Sequence, residues 1–129
     1  MQKSNSTMAQ QVAQAASEFQ QRRTGRVPQS VAVVLSEDVL VITLHGALSP
    51  AEKAVAQQPA GAAQVQEFHR QLFENSSDSL REEIKRITGV EVREATAQVF
   101  TTGTMVQVFT LADRIAADTW SGNGRGDQL

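Results

Sequence analysis

The chain has no cysteine, no tyrosine, one tryptophan and two histidines in 129 residues. Without cysteine there are no disulfides, thiolate metal sites or cysteine nucleophiles. Two histidines are too few for a histidine-rich metal centre in one chain. An aromatic content of 5% is a poor inventory for stacking platforms or aromatic cages. No apolar run approaches the roughly 20 residues that a membrane helix needs. The longest, 31–35 and 39–44, are separated by polar residues. The first 14 residues carry one lysine and no apolar stretch, which does not fit a secretory signal. No GxSxG, HExxH, P-loop or dinucleotide fingerprint occurs. The expectation is a soluble cytoplasmic protein with no metal or cofactor and no direct membrane insertion.

What is present is ordinary for a folded domain. Apolar residues make up 40% of the chain, enough for a real core. Fourteen acidic and 12 basic residues give a net charge of −2, which argues against a generally basic nucleic-acid binder. Residues 1–6 read as a polar, disordered tail, 7–112 as one α+β domain, and 113–129 as a short helix or flexible Gly-rich tail.

The apolar pattern predicts the elements. Met8, Val12, Ala15, Ala16 and Phe19 recur at helical spacing. Gly25 stops that helix, and Pro28 follows. Residues 30–46 form two β-branched runs around Ser36-Glu37-Asp38, a hairpin. Ser49, Pro50 and Glu52 spell a capped helix start with a capping box, and this short helix is expected to reach about residue 58 and stop at Pro59. A longer helix is expected from about residue 62 to Thr88, its apolar stripe formed by Val65, Phe68, Leu72, Leu80, Ile84 and Ile87, with a bend at 75–79. Strands follow at 90–100, with a bulge near Arg93 and Glu94, and at 105–111. The order predicts a two-layer α+β sandwich, α-β-β-α-β-β with a short extra helix and an antiparallel four-stranded sheet. Alternation fails on the first hairpin: Val39 and Val41 point to one face, Leu40, Ile42 and Leu44 to the other. A sheet apolar on both faces needs cover on both, and self-association into a homodimer or higher homo-oligomer supplies the second.

Few constellations carry chemistry. His45, at a strand end just before Gly46 and the Ser49 cap, is a candidate base or ligand beside a helix start. Paired with Glu37 or Asp38 it would serve a small-molecule hydrolase or lyase. His69 reads as a partly exposed helical residue. Glu82 and Glu83 with Lys85 and Arg86 read as a solvated helix face. The GNGRG run at 122–126 follows no strand and reads as tail. The strongest polar feature is Arg22, Arg23 and Arg26 around Gly25, with no acidic residue between Glu18 and Glu37. Convergent guanidinium groups on a Gly-containing loop can hold a small anion or an acidic partner. The same cluster could serve a nucleic-acid module, which the acidic balance opposes. The candidate binding set is therefore Arg22, Arg23, Gly25, Arg26, His45 and Ser49, with no catalytic residue assigned.

The order of these motifs resembles a known family. Thr24-Gly25-Arg26 with Pro28, then His45-Gly46-Ala47-Leu48 and Ser49-Pro50-Ala51-Glu52-Lys53, look like the MpsC family, named for a sodium-translocating, membrane-potential-generating system. Ile87-Thr88-Gly89-Val90-Glu91-Val92 and Val108-Phe109-Thr110-Leu111 resemble its closing segments. The family pattern carries Gly after Arg26, where this chain has Val27. The resemblance implies a small soluble protein, in some bacteria encoded beside membrane components linked to cation flux and inorganic-carbon uptake. It supplies no catalytic residues. Together with the residue inventory it favours a non-enzymatic accessory or regulatory protein with a membrane transport component as partner.

Overall fold

A computed structural model describes residues 7–121. The 1–6 tail and the GNGRG run lie outside the described residues. The first helix, α1 (Met8–Thr24), starts on a reciprocal capping box between Thr7 and Gln10 and ends where Gly25 turns left-handed at φ 77°. Strands β1 (Ser30–Ser36) and β2 (Val39–His45) form the expected hairpin around Glu37 and Asp38. Helices α2 (Pro50–Val55), α3 (Pro59–Ser76) and α4 (Asp78–Thr88) follow. Then come β3 (Val92–Val99), β4 (Met105–Leu111) and the short α5 (Ala117–Ser121).

Two helix junctions differ from the sequence expectation, and α2 ends at Val55, short of residue 58. Pro59 opens α3 rather than merely stopping α2, because a residue without an N–H loses nothing in a first helical turn. The α2–α3 junction is tight: a Cβ on Gly61 would sit 2.0 Å from the Val55 carbonyl oxygen. The bend expected at 75–79 is a break between two helices at Ser77. Just before it, the Ser76 hydroxyl donates to the Leu72 carbonyl, a local bond that competes with the helix ladder.

The sheet is antiparallel with order β1-β2-β4-β3. Its β3–β4 register shifts between Val92 and Glu94, placing the bulge at the expected Arg93. On the inner face Leu40, Ile42, Leu44 and Phe109 are all fully buried, packed in one core with Val12, Ala16 and Phe19 of α1, Phe73 of α3 and Leu80 and Ile84 of α4. The outer face carries three cross-strand rungs: Val34–Val41–Val108–Thr96, Ala32–Thr43–Val106–Gln98 and Ser36–Val39–Thr110–Glu94. None of these residues belongs to the buried core, and Val34 is 60% exposed. The predicted two-faced sheet is therefore present, with one face covered by helices and the other left open among the described residues.

Candidate functional site

The C-terminus of α1 sets up the site. The Gly25 N–H donates to the Gln21 carbonyl at 2.8 Å, closing the helix with a left-handed cap. The Thr24 hydroxyl donates to the Gln20 carbonyl (2.8 Å) and accepts the Arg26 backbone N–H (3.1 Å). This fixes the turn so that Arg26 Nε reaches across to the Gly46 carbonyl at 3.0 Å. One turn earlier, the Arg23 guanidinium lies 5.4 Å from the centre of the Phe19 ring, a cation–π contact. Neither Arg23 nor Arg26 forms an ion pair among the described residues. Arg70 and Arg86, in contrast, are paired to glutamates on their own helices.

The facing wall comes from α2 and α3. Ser49 Oγ accepts the Glu52 N–H at 3.2 Å, and Glu52 Oε1 accepts the Ser49 N–H at 2.9 Å, the capping box read from the sequence. Glu52 does a second job: its Oε2 lies 2.8 Å from His69 Nε2. Burial would raise the Glu52 carboxyl, but the hydrogen bonds from the Ser49 N–H and from His69 outweigh it and hold the group below its ordinary value. His69 is 2% exposed, which corrects its reading as a partly exposed residue. The helix turns so that Gly61, Val65, His69 and Phe73 face inward, and Phe68, expected on the apolar stripe, is 56% exposed. The Phe68 and His69 rings meet edge to face at 5.2 Å.

Between the walls is a cleft of about 320 Å³, lined by Arg23, Thr24, Arg26, Ser49, Glu52, Phe68 and Leu72. A small void of about 10 Å³ adjoins it, sharing Arg23, Thr24 and Leu72 and reaching Gln20 and His69. The structure thus brings together Arg23, Arg26 and Ser49 of the expected set, with Gly25 shaping the turn. Arg22 faces elsewhere, lining a separate hollow with Glu18 and Glu83 between α1 and α4. His45 is exposed at the end of β2 and does not line the cleft. The pairing of His45 with Glu37 or Asp38 is overturned: His45 is the last of the seven residues of β2, at the far end of the strand from the turn. At about 3.3 Å per residue that places them roughly 20 Å apart, far beyond hydrogen-bond reach.

Sequence reasoning missed His69, Phe68, Leu72 and Gln20 as parts of this region. A signal was available in the four-residue spacing of Gly61, Val65, His69 and Phe73, a helix face that includes the histidine.

Residues 4–113 match the family described as the Na+-translocating membrane potential-generating system (MpsC). The chain belongs to the MpsC family. The MpsC match spans every element from α1 to β4, so both walls of the cleft and both faces of the sheet are family regions. An uncharacterized protein of Bacillus subtilis (strain 168), YbcI, is 26% identical over 114 residues, covering 88% of this chain and 92% of its own length. No solved structure matches this MpsC-family chain. No helix among the described residues is long and apolar enough to cross a membrane.

Proposed function

We propose that this MpsC-family chain is a non-enzymatic accessory or regulatory protein of a membrane cation or inorganic-carbon transport system. It acts from the cytoplasm through a protein partner, self-associates through the outer face of its sheet, and binds a small anion or an acidic partner at the Arg23–Arg26 cleft. The observation that carries the reading is the open valine-rich face. Val34, Val41 and Val108 form one rung across three strands, flanked by Val39 and Val106. Within the three rungs the one charged side chain is Glu94, at the β3 edge. A largely β-branched surface charged only at its edge is complementary to a second copy of itself, and sheet-on-sheet packing buries such faces. With no aromatic side chain on those rungs, the face offers no base-stacking platform, in keeping with no nucleic-acid partner.

Sedimentation velocity across the micromolar range tests the assembly. A dimer or larger species is expected, and Val41→Lys should return it to monomer with an unchanged circular-dichroism spectrum. A wild-type chain that stays monomeric throughout overturns self-association.

A further inference from the structure

Four observations converge on the cleft beside α1. Arg23 and Arg26 present guanidinium groups with no carboxylate partner among the described residues, each held by a contact that leaves donors free: the Phe19 ring for Arg23, the Gly46 carbonyl for Arg26. Glu52, the acid on the opposite wall, has its two oxygens engaged by Ser49 and His69. Phe68 and Leu72 give the same cleft an apolar side, and Phe68 is held 56% exposed there, a placement that costs free energy in water. Behind the cleft, Gln20 is 3% exposed, lines the adjoining void, and its Nε2 has no hydrogen-bond partner. A buried donor without an acceptor is rare in a finished structure and marks a place where an acceptor belongs.

We infer that the cleft binds a small organic anion with a carboxylate or similar head and a short apolar tail. The head sits between Arg23 and Arg26, where charge-assisted bonds are strongest, and the tail lies on Phe68 and Leu72. A cleft of about 320 Å³ has room for a small amphipathic anion such as octanoate. The inference rests on the anion-binding half of the proposed function and narrows its ligand to an amphipathic one. The head chemistry is shared by free carboxylates and anionic lipids, and the two sources are separated by titration with the free acid and by vesicle binding.

Calorimetric titration of the full chain with octanoate, butyrate and inorganic phosphate tests this, beside co-sedimentation with phosphatidylglycerol vesicles. Octanoate should bind saturably at one site per chain and at least about fivefold more tightly than butyrate or phosphate. Arg23→Ala should weaken octanoate about tenfold, the loss of one charge-assisted pair. Phe68→Ala should weaken octanoate about fivefold and leave phosphate unchanged. Both side chains are exposed, so thermal melts should stay close to wild type. Equal binding of phosphate and octanoate, with Phe68→Ala silent, keeps the anion site and overturns the apolar half. Failure of every anion to bind overturns both readings. Vesicle binding without octanoate binding overturns the inference in favour of a membrane surface.

Discussion

The two faces of the sheet are built from similar residues and meet different fates. Inward, Leu40, Ile42, Leu44 and Phe109 are fully buried beneath α1, α3 and α4. Outward, on the same strands, Val41 and Val108 are half-buried by their neighbours alone, and Val34 stands 60% exposed. Apolar content therefore did not decide which face became core. Shape and supply did: the leucines and the phenylalanine reach far enough to meet helices, and the helices available fill one layer. The outer valines make a flat, stiff surface suited to another sheet.

That contrast can be broken by experiment, most forcefully at the inner face. Phe109→Ala should cost about 3–5 kcal/mol in denaturant unfolding, the transfer and cavity terms together. Val108→Ala, one residue away and pointing outward, should cost under about 1 kcal/mol in the monomer. Equal costs would mean that the outer face is covered after all. Next comes Gly61→Ala on the packed side. Its added methyl meets the Val55 carbonyl oxygen, and a loss of about 1–3 kcal/mol is expected. Ala32→Val on the open side adds two methyl groups and should be neutral by the same measurement.

Glu52→Gln should cost about 1 kcal/mol at neutral pH, since it weakens both the cap and the His69 contact. Because Glu52 titrates below its ordinary value when folded, its contribution is fully present above about pH 4.3 and is lost as pH falls through the folded value. The variant's stability should fall less steeply with acid than that of the wild type, read from unfolding midpoints between pH 3 and 7. Arg70→Ala should have only a small effect. Its pairs with Glu67 and Glu74 are solvent-exposed, and a change within about 0.5 kcal/mol is expected.

Much of the fold was legible because local chemistry and tertiary packing agree there. The Ser49 capping box, the Gly25 stop, the hairpin turn at Glu37 and Asp38, and the bulge at Arg93 each depend on a few adjacent residues. The polar stretch at 75–79 announced a weakness, and the chain breaks at Ser77. Pro59 was ambiguous, since proline both ends one helix and begins another. The site was half legible. Arg23, Arg26 and Ser49 carry charge and capping chemistry that sequence displays. His69 and Phe68 exchanged their expected places because helix rotation is set by what α3 packs against, β3 above all. Glu52 offers a carboxylate to His69, so the imidazole can be buried while an aromatic ring stays outside.

The strand order bears on how the molecule is made. β4 lies between β2 and β3, so the strand that joins the two hairpins is also, among the described residues, the last to be synthesised. Until Leu111 has been added, the first hairpin carries an open edge on β2 with its apolar faces exposed, the arrangement most prone to wrong pairing. The sheet closes late, through contacts distant in sequence, and folding should be slow for a chain of this size. A nascent or truncated chain ending before Met105 is therefore a natural client for chaperones, whereas seven more residues complete every rung of the sheet.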